Sequence, residues 1–354
     1  MSEKQKDVNK TVGGFFALAL SSTSSVVPSG SSVLDFWGVN DSNSVAFQNA
    51  RSALRYIFNH HQPKRIWAPA FICSDAVAAV PGGTPLSYYP VQPNLSPDVS
   101  WLGTRLEAGD CVLAVDYFGC PPDVDFIAYT QSRLDVLWVE DCAQALDPAH
   151  PAWGNWAVYS PRKLFGVPDG GIAVRIRAKD AATPVAAEYD AAEDASCGSA
   201  ALLKLETESV EERDAAYQAY RDSEAAMQVC ATPMSCLTRR LLALIDARTA
   251  IARRRKNYGV LVDTLRDFAV LPHATPSFAP LGFPVRHREC DRIWTQLRDR
   301  GVFAARHWRD LPSPAAAFPW EHTLSEEIMT LPCDQRYDAA DMQFVAEMFR
   351  EALE

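Results

Sequence analysis

The sequence predicts an α/β fold: a large, mainly parallel β-sheet domain sandwiched by helices, followed by a small C-terminal α+β domain. Two observations predict this fold. From residue 45 to about residue 175, short apolar runs alternate with patterns of helical period, which is typical of a parallel sheet whose strands are joined by helices. The last hundred residues instead combine three strand-like segments with two helical ones, which indicates a separate small domain.

Short apolar runs are predicted to form the strands of the large sheet, because they are long enough for strands and too short for helices. They cover residues 64–70, 84–89, 111–117, 136–140, 155–159 and 171–176. Ahead of them, N-A-R-S-A-L-R-Y-I-F at 49–58 has apolar residues at helical spacing. This segment therefore predicts a helix that precedes these strands in the chain.

Helices and the small domain are predicted to follow the sheet. Residues 199–229 and 235–268 have helical composition. In the small domain the predicted strands are G-F-P-V-R-H, V-F-A-A-R-H-W and I-M-T-L-P. The predicted helices are E-C-D-R-I-W-T-Q-L-R-D-R, closed by Gly301, and the terminal A-A-D-M-Q-F-V-A-E-M-F-R-E-A-L.

These elements divide the chain into three regions. Residues 1–32 are an N-terminal tail and loop, residues 33–234 the large domain, and residues 235–354 a linking helix with the small domain. Within the first region we expect disorder over 1–10 and a Ser-rich loop over 21–32. Between them, G-G-F-F-A-L-A-L is predicted to be an edge strand.

Composition limits the class of protein. The net charge of the chain is -10, and its basic residues form no sustained patch interleaved with aromatic residues, so we predict no nucleic-acid partner. The run R-R-R-K at 253–256 is interpreted as a solvated helix face or a subunit contact. Nine cysteines without a C-x-x-C pair favour reduced thiols and argue against a metal site or a disulfide framework. The N-terminal apolar stretch is too short to span a bilayer, so we predict a soluble cytoplasmic protein that binds no membrane.

An acid at the end of an apolar run, followed by a lone lysine, is the most informative pattern. V-L-W-V-E-D-C-A-Q at 136–144 places Asp141 at the predicted carboxyl end of a strand, and Y-S-P-R-K-L-F-G-V-P-D-G-G carries Lys163. Ligands bind at that edge of open α/β sheets. Pyridoxal 5'-phosphate (PLP) needs a carboxylate to keep its ring nitrogen protonated and a lysine amine to hold its aldehyde. The pattern therefore predicts a PLP enzyme in which Asp141 and Lys163 have these roles.

Further residues are predicted to complete the cofactor site. A helix that begins on small residues offers free backbone N–H groups to an anion, so Ala50, Arg51 and Ser52 are candidates for binding the phosphate. The Ser160 hydroxyl could donate to the same phosphate, and Gln144 could reach the ring face or the phenolic oxygen.

Taken in order, these motifs resemble the DegT/DnrJ/StrS family of fold-type-I PLP enzymes, which are mostly sugar aminotransferases. The resemblance runs from about residue 45 to the C-terminus and is most specific over 110–171. It is carried by A-R-S-A-L, I-W-A-P-A-F-I-C, Y-Y-P-V-Q-P-N-L-S-P-D, G-D-C-V-L-A-V-D-Y-F-G, V-E-D-C-A-Q, S-P-R-K with its G-G, and L-P-C-D-Q-R-Y-D-A-A-D-M. It implies a fold-type-I PLP transferase that forms a homodimer, with the site completed at the subunit interface.

The resemblance also implies residue roles. Lys163 would hold the cofactor covalently, Asp141 would pair with its ring nitrogen, and Gln144 would contact the ring. The turn at Arg51 and Ser52, together with Ser160, would bind the phosphate.

Three departures from the family mark a divergent branch. Cys73 stands where family members usually place an aromatic residue over the ring, so the stacking partner is either lost or supplied by Phe71. The family's Asn-x-Arg loop, which reaches a neighbouring subunit's site, has no clear match, since residues 178–230 are Ala- and Glu-rich. Ser160 lies three residues before Lys163, which is the S-x-x-K spacing of other fold-type-I aminotransferases.

By resemblance, the predicted reaction moves an amino group from glutamate or glutamine to a keto acceptor. The expected acceptor is a keto sugar attached to a nucleotide, in polysaccharide or secondary-metabolite biosynthesis. Two alternatives stay open. One is a PLP-dependent sugar dehydratase, although those relatives replace the lysine that is present here as Lys163. The other is a non-catalytic scaffold protein that keeps the fold.

Four side chains of the small domain are candidates for substrate contact. An arginine fork can hold a carboxylate or phosphate, and a His-Trp pair can pack on a ring. The candidates are Arg306, His307, Trp308 and Arg336.

Overall fold

A computed structural model describes residues 10–17, 27–40, 42–147, 152–177, 210–271 and 276–354. Its strands, in chain order, are β1 (Val12–Gly13), β2 (Ser44–Phe47), β3 (Ile66–Pro69), β4 (Leu86–Tyr89), β5 (Cys111–Val115), β6 (Leu137–Cys142), β7 (Trp156–Tyr159), β8 (Gly171–Arg175), β9 (Phe283–Arg286), β10 (Val302–Phe303) and β11 (Ile328–Leu331).

The helices surround these strands. They are α1 (Val33–Phe36), α2 (Ala50–His61), α3 (Ser74–Val77), α4 (Val99–Gly103), α5 (Val124–Ser132), α6 (Val210–Ala226), α7 (Cys236–Leu244), α8 (Ala247–Leu265), α9 (Cys290–Asp299), α10 (Pro319–Glu327) and α11 (Ala339–Glu351).

Strands β2 to β8 form a seven-stranded sheet in the order β2-β8-β7-β6-β5-β3-β4. Only β8 runs against its neighbours, while the pairs from β7 through β4 are parallel. The six predicted strands and the mainly parallel sheet are confirmed. Strand β2 was not predicted, because it is an edge strand whose burial alternates along Ser44–Phe47, and its partner, β8, lies far along the chain.

Apolar packing covers both faces of this sheet. One buried cluster gathers α2, β3, β5 and β6, and a second joins β7 and β8 to α7 and the first half of α8. A parallel sheet that is buried on both faces explains why its strands read as continuous apolar runs rather than as alternating ones.

A third apolar cluster forms the core of the small domain. It combines α8, α9 and α11 with β9, β10 and β11. Strand β9 pairs antiparallel with β11, and β10 pairs parallel with β1. The N-terminal segment is therefore part of the small domain's structure.

Two small-domain predictions need correction. The N-terminal strand is Val12–Gly13, which shares only Gly13 with the G-G-F-F-A-L-A-L segment, because it pairs with Val302–Phe303. In V-F-A-A-R-H-W the strand ends at Phe303, and Ala305 makes only an isolated bridge to Thr330. Helix α10 was not predicted.

The basic run at 253–256 is also only partly as expected. Arg253 and Lys256 are exposed on α8, but Arg254 is completely buried and donates to backbone carbonyls. A guanidinium that donates to several backbone carbonyls can be tolerated in a protein interior. The interpretation of the whole run as a solvated face was therefore wrong for Arg254.

Some predictions concern segments outside the described residues. These include the disorder over 1–9, residues 21–26 of the Ser-rich loop, and residues 178–209 of the Ala- and Glu-rich region. Within the described part of the chain, every cysteine is a free thiol. The helices of that part include none that is long and apolar enough to cross a membrane.

Candidate active site

Asp141 and Lys163 come from neighbouring strands and meet at the carboxyl edge of the sheet. Asp141 is the penultimate residue of β6 and pairs with Val158 of the parallel strand β7. Lys163 ends a short 3-10 turn, Pro161–Lys163, that follows β7 directly. Parallel strands end on the same edge, so the turn brings Lys163 close enough for its charge to act on Asp141.

The environment of Asp141 combines burial with positive charge. The residue is 8% exposed, and burial raises the pKa of its carboxyl group because water no longer solvates the charge. The Lys163 ammonium acts in the opposite direction, as does the Ala143 amide, which donates to Oδ1 at 2.9 Å. Asp141 is thus a buried acid whose ionised form depends on a cation beside it.

Two further groups lie within the electrostatic reach of Lys163. The half-buried thiol of Cys73 precedes α3, and burial raises its pKa while the Lys163 charge lowers it. His307 reaches the same place from the small domain. Burial, and then the Lys163 charge, lower the pKa of His307 to about 4. His307 is therefore a neutral imidazole at neutral pH, and the site is built from both domains.

An aromatic wall stands beside this cluster. Phe71 is completely buried, with its ring 5.6 Å from that of Tyr117 and 5.2 Å from that of Trp308. The Tyr117 hydroxyl donates to the Phe71 carbonyl. Of the two residues considered for stacking, Cys73 lies in the electrostatic field of Lys163, and Phe71 packs into the wall. Which of them contacts a ring stays a prediction.

Gln144 is held by the turn that follows β5. Its Oε1 atom accepts from the Phe118 amide at 2.6 Å, and the Phe118 ring meets that of His307 edge-on at 5.6 Å. Gln144 is almost completely buried. The side chain predicted to touch the cofactor ring is thus joined, through Phe118, to the small-domain histidine.

The start of α2 adjoins the lysine turn. Gly170 packs so closely on Pro161 that a Cβ atom would come within 2.5 Å of the proline ring, and it bridges to Asn49, the N-cap of α2. At Gly171 a Cβ atom would lie 2.2 Å from the Ala50 nitrogen. Only glycine allows this approach. The predicted anion-binding turn and Ser160 are therefore neighbours in the fold.

Part of the predicted phosphate cradle is already occupied by the chain itself. The Ser52 amide and hydroxyl both donate to Asn49 Oδ1, and the hydroxyl accepts from the Cys230 amide at 3.1 Å. Arg51 pairs with Asp75 at 2.8 Å and donates to the Met227 carbonyl. The first-turn amides of Ala50 and Arg51 have no acceptor within the helix and remain the donors suited to an anion.

The two arginines predicted to contact substrate are engaged within the small domain. Arg306 pairs with Asp291, and its side chain is 7% exposed. Arg336 donates two hydrogen bonds of 2.8 Å to the Asp334 carboxylate and also donates to the carbonyls of the N-terminal segment. His307 and Trp308 face the lysine and the aromatic wall. Substrate contact by any of the four stays a prediction.

Two contributors were not recognised in the sequence. Tyr117 and Phe118 belong to the D-Y-F-G motif after β5, which was noted only as part of the resemblance. The available signal was their place at the end of a central strand, where ligand-binding loops arise.

On the opposite face of β6 lies a second acidic cluster. Asp116, Glu140 and Cys142 are buried, and their ligand atoms lie within 4.8 Å of one another. Burial raises the pKa of Asp116 well above its usual range and that of Glu140 to about 7. Two carboxyl groups this close favour one shared proton.

Solved structures with this architecture are numerous. The chain superposes on the aminotransferase TlmJ from Streptoalloteichus hindustanus with a TM-score of 0.64 at 18% identity, covering 91% of this chain and 88% of that one. For a DegT DnrJ EryC1 StrS aminotransferase from Brucella abortus the TM-score is 0.61 at 16% identity, with 90% and 87% covered. For Helicobacter pylori PseC, an aminotransferase of pseudoaminic acid biosynthesis, it is 0.63 at 11% identity, with 97% and 99% covered.

The chain has the fold of these aminotransferases. The predicted fold-type-I architecture is thereby confirmed. No family model matches the sequence, and no curated protein is significantly similar to it. Low identity over nearly the whole aminotransferase fold agrees with the expected divergence.

Proposed function

We propose that this protein is a PLP-dependent aminotransferase that acts on a sugar. The observation that carries the proposal is the convergence of Lys163 and Asp141 from neighbouring strands at the carboxyl edge of the sheet. Several of the solved structures that share the fold are described as sugar aminotransferases, and one of these is described in PLP and PMP forms. The proposal joins that likeness to residues that fit the chemistry.

The residues gathered at the candidate site fit PLP. Lys163 is exposed, and among the described residues its amine has no hydrogen-bond or ion-pair partner, so it is available to a carbonyl group. Asp141 is buried beside a cation. A protonated ring nitrogen would favour its ionised form just as the Lys163 ammonium does. The free first-turn amides of α2 suit a phosphate.

PLP, when bound, supplies an electron sink for the electron pair left by deprotonation at the substrate carbon. Lys163 would hold the aldehyde and, once displaced by the amino donor, accept and return the proton as a free amine. Asp141 would keep the ring nitrogen protonated. The Ala50 and Arg51 amides and the Ser160 hydroxyl would anchor the phosphate, and Gln144 would contact the ring.

We further propose glutamate or glutamine as the amino donor and a nucleotide-linked keto sugar as the acceptor. The names of the structural neighbours support a sugar, as in the pseudoaminic acid pathway of one of them. His307 and Trp308 would border the acceptor, because they reach the site from the small domain. A homodimer, as the family resemblance suggests, and a cytoplasmic location, which the cysteine pattern favours, are part of the same proposal.

The proposal is tested by the absorption spectrum of the purified protein with PLP, before and after addition of glutamate or glutamine. A visible cofactor band that either donor converts to the pyridoxamine form is the expected result. A stable band that neither donor changes would contradict the proposed donors and favour another PLP reaction, such as dehydration. A protein that binds no PLP would favour the scaffold alternative.

A further inference from the structure

The backbone directly after Lys163 is held by two side chains from outside the large sheet. The Leu164 carbonyl accepts from Gln335 Nε2 at 2.8 Å and from Arg254 Nη2 at 3.2 Å. Arg254 lies in the middle of α8, which leads into the small domain, and Gln335 follows β11. One peptide group next to the candidate catalytic lysine is therefore fixed from two sides.

Arg254 also holds a second loop of the site. Its Nη1 atom donates to the carbonyls of Pro280 at 2.8 Å and Leu281 at 3.1 Å. The Leu281 amide in turn donates to the Phe118 carbonyl at 2.8 Å, and the Phe118 amide holds Gln144. The guanidinium thus connects the lysine turn to the turn that places Gln144.

This arrangement is costly for a purely structural residue. Arg254 is completely buried, and burial lowers its pKa, with Asp334 acting in the opposite direction. Among the described residues its donors bind only neutral carbonyls, and its Nε atom has no partner. A buried cation loses hydration that carbonyl groups only partly replace. Its fork does, however, fix several loops at once, which a lysine could not do.

We propose that Arg254 and Gln335 are positioning residues that orient Lys163 by clamping the Leu164 carbonyl. The proposal rests on the proposed function of Lys163 and adds to it that the small-domain side of the molecule sets the direction of the lysine. Small displacements of a reacting group reduce rates strongly, so support by fixed neighbours is as necessary as the group itself.

Two pairs of variants test the clamp. Arg254→Lys keeps the charge but loses the fork, and Arg253→Lys is its control at an exposed position of the same helix. Gln335→Met keeps the size of the side chain but removes the donor, and Gln343→Met is its control at an exposed position of α11.

The first measurement uses the cofactor-free protein. Thermal unfolding establishes that each variant is folded, and hydrogen exchange then follows the amides of Leu164 and Phe165, which both donate to the Pro161 carbonyl. We expect exchange to be ~10-fold faster in both clamp variants, since the turn opens locally more often. The two controls should match the unmodified protein.

The second measurement uses the PLP-loaded protein. Visible circular dichroism reports the orientation of the bound cofactor. We expect its amplitude to change in both clamp variants, and kcat to fall ~10-fold with the KM of the amino donor nearly constant. A residue that only stabilised the fold would change the unfolding temperature but neither of these signals.

Folded clamp variants with unchanged exchange and unchanged visible circular dichroism would overturn the proposal. If Arg254→Lys does not fold, Gln335→Met decides alone. If the unmodified protein binds no PLP, the proposed function fails, and the exchange rates of the cofactor-free protein still decide whether the clamp holds the lysine turn.

Discussion

The two faces of β6 carry acids that are similarly buried but lie in opposite electrostatic environments. Side chains of neighbouring strand residues point to opposite faces, so Asp141 faces Lys163 while Glu140 and Cys142 face Asp116. Asp141 has a cation beside it. For Glu140, in contrast, the groups that oppose the effect of burial are backbone amides, the Asp116 carboxyl and the Cys142 thiol.

Under the proposed function, burial alone does not make an acid functional. On the Asp141 face, a cation can keep the acid ionised, and the neighbouring amine is exposed to incoming molecules. On the Glu140 face, the carboxyl groups of Glu140 and Asp116 share their environment with each other and are closed off. Changes on the first face should therefore affect chemistry, and changes on the second should affect stability.

Replacing the lysine should have the largest effect. Lys163→Ala removes the group that we propose both holds the cofactor and carries the proton, so we expect amino transfer to fall by ~1,000-fold or more. Single-turnover kinetics with glutamate would measure this loss. Lys256→Ala, at an exposed position of α8, should retain full activity. Equal loss of activity in the two variants would show that the loss is not specific to Lys163.

Removing the charge of the facing acid should come next. Asp141→Asn can still accept the Ala143 amide but cannot favour a protonated ring, so we expect a ~100-fold lower rate with the fold preserved. The measurement is the rate of the donor half-reaction, with Asp141→Glu as the variant that restores the charge. A rate for Asp141→Asn within about twofold of the unmodified protein would refute the assigned role.

The face that carries Glu140 and Asp116 should make the stability of the protein depend on pH. Glu140 has a pKa of about 7 in the folded protein against an ordinary value of 4.5, so its stabilising contribution is complete below pH 4.5. As the pH rises to about 7, the unfolded chain loses this proton first and the contribution is lost. Glu140→Gln should remove this dependence. Between pH 5 and pH 8, the difference in free energy of unfolding between the variant and the unmodified protein should therefore shift in favour of the variant by up to ~3 kcal/mol.

Urea unfolding of both proteins at the two pH values checks this prediction. In the Glu140→Gln variant, the carbonyl oxygen of the new amide can still accept the Trp153 amide, which donates to the Glu140 carboxyl group at 3.1 Å. Parallel pH profiles for the two proteins would show that Glu140 does not carry the raised pKa.

The smallest effect is expected at Cys142. Its thiol lies 3.7 Å from Asp116 Oδ2, and Cys142→Ala should destabilise the fold by ~1 kcal/mol through lost packing and a weak hydrogen bond. Thermal unfolding gives this number, and the rate of the donor half-reaction should not change. A large loss of activity with little loss of stability would place Cys142 in the chemistry instead.

The sequence was most informative where local pattern determines structure. The apolar runs predicted six strands because buried parallel strands have no polar alternation. The order acid, turn and lysine placed Asp141 and Lys163 together, since the ends of parallel strands share an edge. Asn49, Gly170 and Gly171 then explain why α2 can approach the lysine turn.

The contacts between distant segments could not be read from pattern. The strand at Val12–Gly13 exists because Val302–Phe303 lies beside it, far along the chain. Arg254 looks like a surface residue in an R-R-R-K run, and only the loops at Leu164 and Pro280 make it an interior one. The fork of Arg336 is likewise directed to Asp334 and the N-terminal segment by tertiary packing.

The central claim is that Lys163 is the residue that holds PLP. Its most direct test is borohydride reduction of the purified protein after incubation with PLP, followed by peptide mapping by mass spectrometry. The account predicts one stoichiometric adduct on Lys163, reduced in yield by Asp141→Asn and absent from Lys163→Ala. An adduct spread over the surface lysines, or one that persists in Lys163→Ala, would contradict it.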